Sequence, residues 1–320
     1  MAYIMEDCAK KQKNITEECR SNLQDIAYRA RERGIKVIDE QLWEKENGRW
    51  QLVMKVMVKD GCVTTRELTK AVAGALNRRM IPEKDTKTLI GKGVNLYTYE
   101  EEPRFQAIYG VARMVKDGAA VSGDNFSFLE PESGKMVMCL SDGMGSGSLA
   151  CKESEMVIEL VEKFLEAGFD VETAARMMNS AMVMKGQEDL FSTVDISELD
   201  LYDGTCRFYK IGAAATFIRR NGIVECLIST SLPVGVSYKL DMEKSEKDLY
   251  NGDFLVMVSD GVLEYLHVPN PEETMQEIIE SIETNNATIL AKRILERVLL
   301  FTGGKAADDM TVLATAIWEK

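Results

Sequence analysis

Apolar residues recur every three to four positions across residues 3–33, where Ile15, Cys19, Leu23, Ile26 and Ala30 share a face. That spacing predicts a helix, and Gly34 supplies its C-terminal stop. Residues 35–43 read as a strand, Glu46-Asn47-Gly48-Arg49 as a hairpin turn, and residues 50–59 as an alternating second strand. After the turn at Asp60-Gly61, Thr65 can cap a helix to about Met80 through Leu68, Val72, Ala75 and Leu76. Together these elements predict a small α+β unit over residues 1–95.

From about Leu96 the pattern becomes strand-rich. Strands are expected at 105–112, 126–129 and 136–140, with a turn at Lys116-Asp117-Gly118 and a link through Pro131-Glu132-Ser133-Gly134. Two helices follow, one over 148–167 ending at Gly168, the other capped by Asp170 and running to about Met184. Strands return at 193–201, 206–211, 216–219, 223–228 and 254–258, with hairpin signals at Asp203-Gly204 and Asn221-Gly222. Asn270-Pro271-Glu272-Glu273 opens a further helix in the order cap, proline, acids. A second, over 288–301, stops at Gly303-Gly304 before a last strand at 312–317.

Two of these strands run into the same tripeptide. Met136–Leu140 leads to Ser141-Asp142-Gly143, and Phe254–Val258 leads to Ser259-Asp260-Gly261, so each is expected to stop on a carboxylate with a glycine behind it. Asp124, in Gly123-Asp124-Asn125, and Asp308, in Asp308-Asp309-Met310-Thr311, stand at strand edges too. Four carboxylates at strand ends, beside glycines that let backbone approach, suit a hard-cation site. Their charge matches two divalent ions, and two metals held this way suggest hydrolysis or transfer at phosphate. Gly143-Met144-Gly145-Ser146-Gly147 lacks the Lys-Ser/Thr of a P-loop and the downstream acid of a dinucleotide fold, so it is read as the exit from the metal corner. Asp203-Gly204 is read as a plain turn.

Composition narrows the chemistry. The 320 residues carry a net charge of -13. Residues 1–94 hold 19 Lys and Arg against 14 Asp and Glu, leaving 20 against 38 for the rest. That acidity argues against nucleic acid as a partner. The sole histidine, His267, sits in an expected loop, so a Ser-His-Asp nucleophile or a His-based zinc site has no imidazole to use. Seven scattered cysteines without a C-x-x-C pair read as reduced residues, with Cys139 and Cys206 in the core. No apolar run approaches the ~20 residues of a membrane helix, and the charged start, Met1 to Arg33, does not read as a signal peptide.

The ordered set Gly123-Asp124, Ser141-Asp142-Gly143-Met144-Gly145-Ser146-Gly147, Ser259-Asp260-Gly261 and Asp308-Asp309-Met310-Thr311 resembles the metal-dependent serine/threonine phosphatases of the PPM (type 2C) family over about residues 96–320. Tyr28-Arg29-Ala30-Arg31-Glu32 and Asn95-Leu96-Tyr97-Thr98-Tyr99 extend the likeness toward that family's stage II sporulation protein E branch. The resemblance implies an α+β fold, a central antiparallel β-sandwich flanked by helix pairs, preceded by a regulatory and dimerising segment. It implies a phosphoserine protein phosphatase using two Mn2+ or Mg2+ ions on a phosphorylated anti-sigma-factor antagonist, so activating a sporulation sigma factor, and a homodimer. It implies a cytoplasmic chain without the membrane-spanning part of its relatives, whose full length would sit at the membrane or division septum.

By the same resemblance Asp142 bridges both metals, the Gly143 carbonyl serves one, Asp260 and Asp308 join Asp142 at the other, and Asp124 holds the first directly or through water. Asp309 is the runner-up for Asp308. Asp142 and Asp260 are the expected catalytic residues, acting through a metal-bridging water. Where eukaryotic members place a phosphate-holding arginine, this chain has Ala119-Ala120-Val121-Ser122; that residue stays unassigned, with Lys116 a weak candidate. A two-metal hydrolase of small phosphate esters, or a silent scaffold of the same fold, are the alternatives. The helix pair over Ser148–Lys185 follows directly from the metal corner and is expected to act as a regulatory switch. Met177, Met178, Met182 and Met184 on it are read mainly as core filling.

Overall fold

A computed structural model describes residues 17–44, 48–83, 86–131, 134–145, 147–184, 191–301 and 303–320. The expected helix over 3–16, Glu46 and Asn47 of the first turn signal, Glu132 and Ser133 of the expected link, Ser146 and Lys185 lie outside the described residues. The chain forms two compact units, Met1–Glu102 and Pro103–Lys320.

In the first unit, helix α1 (Glu17–Glu32) leads into strands β1 (Ile35–Glu44) and β2 (Trp50–Val58), then β3 (Val63–Thr64), helix α2 (Thr65–Leu76), β4 (Met80–Pro82), β5 (Leu89–Ile90) and β6 (Asn95–Glu101). An antiparallel sheet in the order β1-β2-β6-β4 packs Leu52, Met54, Val56, Tyr97 and Tyr99 against Ile26 and Ala30 of α1 and Leu68 and Val72 of α2. The 95–101 stretch pairs with β2 and β4, so it belongs to this first sheet and not to the strand-rich part that follows.

The second unit opens with β7 (Phe105–Met114), β8 (Asp124–Leu129) and β9 (Lys135–Gly143), followed by helices α3 (Ser148–Glu166) and α4 (Val171–Met184). Next come β10 (Ser192–Asp200), β11 (Thr205–Ile211), β12 (Thr216–Arg220), β13 (Ile223–Leu227), β14 (Glu243–Asp248) and β15 (Phe254–Val258). Helices α5 (Asp260–Glu264), α6 (Pro271–Glu280) and α7 (Ala287–Phe301) precede the last strand, β16 (Met310–Glu319). Two five-stranded antiparallel sheets, β14-β11-β10-β9-β8 and β13-β12-β15-β16-β7, stack face to face. The α3–α4 pair covers the first sheet and the α6–α7 pair the second.

This layering explains the unbroken apolar runs. On β9, Met136, Met138 and Leu140 enter the core between the sheets while Val137 and Cys139 meet α3 and α4. On β15, Leu255 and Met257 face the other sheet, and Phe254, Val256 and Val258 face α6 and α7. A central strand buried on both faces loses the apolar–polar alternation of a one-sided sheet. Asn221 and Gly222 take φ of 50° and 81°, the left-handed pair that a two-residue hairpin needs.

Three expectations change. β9 does not stop at Ser141 but stays paired with β10 through Gly143, whereas β15 ends at Val258 and Asp260 opens a helix. The two Ser-Asp-Gly corners are therefore different local structures. β14, Glu-Lys-Ser-Glu-Lys-Asp, is a charged edge strand with no apolar pattern to announce it. Met178 and Met182 fill the core, while Met177 and Met184 are exposed. His267 is exposed, Cys139 and Cys206 are buried, and Cys62, Cys139, Cys151, Cys206 and Cys226 are free thiols. Among the described residues no helix is long and apolar enough to cross a membrane.

Candidate metal centre

Asp124 and Asp142 are cross-strand partners in the β8–β9 ladder. Directly opposed Cα atoms in such a ladder lie ~4.5–5.5 Å apart, so the pairing presses two like charges together. The Asp142 backbone is fastened on its other side. Its N–H donates to Thr193 Oγ1 at 3.2 Å, and its carbonyl accepts from Ser192 Oγ at 2.6 Å. Ser141 Oγ, between them, lies 2.8 Å from Ser192 Oγ.

Asp260 arrives from the other sheet. Ser259 is extended (φ −74°, ψ 162°) and caps α5, placing Asp260 in the first turn. Ser259 N–H donates to the Thr311 carbonyl at 3.0 Å, and Thr311 N–H returns to Ser259 Oγ at 2.9 Å, continuing the β15–β16 register. A Cβ at position 261 would stand 2.2 Å from the Asp309 carbonyl oxygen, so glycine is required behind Asp260.

The adjacent acids divide. Asp309 is 5% exposed, and its two oxygens accept the backbone N–H groups of Lys116 at 3.0 Å and Gly123 at 2.8 Å. Asp308 keeps a side chain 39% exposed, with Lys116 Nζ 3.7 Å from its Oδ1. Helix α3 closes on the same corner. A Cβ on Gly143 would meet the Ala150 carbonyl oxygen at 2.1 Å. Ser154 Oγ donates to the Gly123 carbonyl, and Asn125 Nδ2 donates to the Cys151 carbonyl at 3.1 Å and to Ser154 Oγ at 2.8 Å. Sequence reading missed Ser154, Asn125, Ser192, Thr193 and Thr311. Asn125 and Thr311 stand inside the Gly-Asp-Asn and Asp-Asp-Met-Thr motifs but were given no role there, and Ser154, Ser192 and Thr193 stand in no recognisable motif.

The electrostatics of the corner are unbalanced. Burial, then the charges of Asp260 and Asp124 beside it, push the Asp142 carboxyl up to about 10. Burial raises Asp124 as well; the Thr311 and Ser259 hydroxyls pull the other way, yet both Asp124 oxygens are fully buried without a hydrogen bond. Glu264 is raised by burial, then by Asp260 and Asp308. Arg113 does not relieve them: its guanidinium donates to the Asp124 carbonyl oxygen at 2.6 Å and lies over Phe126. Buried carboxylate oxygens without partners are costly, and a hard divalent cation is what such donors fit. Among the described residues no three acids, cysteines or histidines stand as a finished cage around one point. The donors fit the metal by chemistry, charge and burial.

A family model described as stage II sporulation protein E (SpoIIE) matches residues 132–317. The chain belongs to the SpoIIE family. It is 28% identical over 318 residues to stage II sporulation protein E of Bacillus subtilis (strain 168), covering 99% of this chain and 38% of that relative. The chain thus spans well under half of that relative's length. The solved structure of the PP2C phosphatase domain and a fragment of the regulatory domain of SpoIIE from Bacillus subtilis superposes with a TM-score of 0.71 at 27% identity, covering 100% of this chain and 93% of the other. The α+β sandwich is therefore the PP2C fold of the SpoIIE family. The phosphoserine phosphatase RsbX of Bacillus subtilis is 35% identical over 86 residues, 27% of this chain and 41% of RsbX. A structure of RsbX in complex with magnesium shares the fold at 21% identity and a TM-score of 0.52, covering 68% of this chain and 98% of RsbX.

Proposed function

We propose that this chain is a divalent-metal-dependent phosphoserine protein phosphatase. The observation that carries the reading is Asp142 held between Asp124 and Asp260, with both Asp124 oxygens buried and unbonded. Asp124, Asp142, the Gly143 carbonyl, Asp260 and Asp308 would hold Mn2+ or Mg2+. Bound cations would supply an activated water at neutral pH and neutralise charge on the phosphoryl oxygens. Asp142 and Asp260 orient that chemistry from opposite sheets. Asp309 serves by fastening residues 116–123, since both its oxygens are already spent on backbone. Lys116, part-exposed beside Asp308, would be the residue to meet a substrate phosphate.

The substrate we infer is a serine-phosphorylated anti-sigma-factor antagonist, acted on to release a sporulation sigma factor. The first unit would regulate and dimerise the chain. The α3–α4 pair would be the switch, because α3 touches the backbone of both Gly123 and Gly143 and a tilt of it moves the ligands' own strands. Manganese-dependent phosphate release from that phosphoprotein, wild type beside Asp142→Ala and Asp260→Ala, tests the function. Release that both substitutions abolish supports it; release that survives either one refutes it. Unchanged metal affinity, turnover and oligomeric state after removal of residues 1–95 would refute the switch.

A further inference from the structure

Below the carboxylates, in the core between the two sheets, lies an ion pair that the chemistry above does not use. Lys210 Nζ is 2.5 Å from Asp195 Oδ2 and 2.8 Å from Thr216 Oγ1, and the Thr216 hydroxyl donates to the same Oδ2 at 2.5 Å. Asp195 and Lys210 are 2% and 3% exposed, and Asp195 Oδ1 has no partner. Asp195 and Lys210 oppose each other on β10 and β11, in the first sheet. Thr216 is on β12, in the second.

The register ties this cluster to both halves of the metal centre. Asp195 pairs with Leu140 and Thr193 pairs with Asp142, so the cluster sits one rung, ~7 Å, along the strands from Asp142. Thr216 pairs with Met257 on β15, three residues before Asp260. Asp124 and Asp142 belong to one sheet, while Asp260 comes off the end of a strand in the other. The Thr216 hydroxyl is a directional bond between those two sheets at the site's end of the sandwich.

Stability does not account for the arrangement. A buried ion pair gains little over apolar side chains of the same volume, and this one leaves a carboxylate oxygen unsatisfied. The surrounding core, Leu140, Met257 and their neighbours, is apolar and would accept such side chains. Apolar contacts between stacked sheets are non-directional and permit small slides. A metal centre shared between two sheets tolerates only about half an ångström of misplacement. Bonds of fixed length and direction supply that constraint.

We infer that Asp195, Lys210 and Thr216 are positioning residues that lock the two sheets in the offset at which Asp142 and Asp260 share metal. The inference rests on the metal-centre reading above. It is tested on the full chain by calorimetric titration with Mn2+, beside thermal unfolding in chelator, for three variants. Thr216→Val removes the inter-sheet hydroxyl at nearly constant volume, Thr216→Ser keeps it, and Asp195→Leu with Lys210→Met replaces the ion pair by apolar side chains.

The expected result is a metal-free melting point near wild type for all three, with Mn2+ bound about tenfold more weakly by Thr216→Val and by the double variant, and wild-type affinity in Thr216→Ser. Mn2+ affinity within twofold of wild type in a folded Thr216→Val overturns the inference, as does an equal loss in Thr216→Ser. Should the double variant not fold, the two Thr216 variants decide alone. A wild type that binds no Mn2+ overturns the metal centre and this inference with it. A wild type that binds Mn2+ yet releases phosphate from neither p-nitrophenyl phosphate nor a phosphoserine protein overturns the phosphatase reading only; the affinity comparison still decides the positioning role.

Discussion

The Asp309 carboxylate accepts the backbone N–H of Gly123 at 2.8 Å across 186 residues of sequence. Its other oxygen holds the Lys116 N–H at 3.0 Å. One side chain thus fixes both ends of the loop that delivers Asp124, while its neighbour Asp308 is left half-exposed and able to bind.

The two acids should therefore fail differently. Asp309→Ala strands two backbone donors, at a cost of about 1–3 kcal/mol, and should lower the melting point with or without metal. Asp308→Asn should leave the metal-free melting point near wild type and weaken Mn2+ binding. Unfolding and Mn2+ titration of both variants check this; matching behaviour in the two would contradict the division of roles.

Putting a neutral amide in place of an acid that has to be held protonated in the crowded centre should stabilise the metal-free protein. Asp142 is buried against two other acids, so Asp142→Asn is expected to raise the melting point in chelator by a few degrees. The metal response should run the other way. At a hundred times its Kd, Mn2+ stabilises the wild type by ~2.7 kcal/mol, and it should give Asp142→Asn almost nothing. Differential scanning calorimetry with and without Mn2+ reads both signs in one experiment.

Gly143 admits no side chain. A Cβ there would lie 2.1 Å from the Ala150 carbonyl oxygen, so Gly143→Ala must push α3 off the corner. Overpacking of this kind costs about 1–3 kcal/mol, and phosphate release should fall with metal affinity. Gly145, where a Cβ meets nothing within 4 Å, has a φ of 96° and is a poor control; Gly91 has open space and no such φ, and Gly91→Ala should leave Mn2+ affinity unchanged.

Lys116 faces the rim beside Asp308 at 3.7 Å. If it meets the substrate phosphate, Lys116→Ala should raise KM for the phosphoprotein roughly fivefold to tenfold, about 1 kcal/mol of binding, with kcat little changed. Steady-state kinetics at saturating Mn2+ check it. A drop in kcat at constant KM would place Lys116 in the chemical step instead.

The sequence by itself determined the elements of the sandwich other than the charged edge strand β14, and the acids at its end. Runs such as Met136–Leu140 and Phe254–Val258 are long enough and apolar enough to be central strands, and the glycines behind Asp142 and Asp260 mark close backbone approach. These signals are local: they depend on side-chain period and on steric room within a few residues. Tertiary structure decided what local pattern cannot encode. It separated Asp308 from Asp309, because only a loop 186 residues away shows which carboxylate is already spent. It made the first Ser-Asp-Gly a paired strand and the second a helix start, because β10 runs alongside the first through Gly143 while pairing with β16 ends at Ser259. It gave residues 95–101 to the first unit, where β2 and β4 wait with open edges. And it brought Asp195, Lys210 and Thr216 together, three ordinary strand residues whose meeting depends on the register of two sheets.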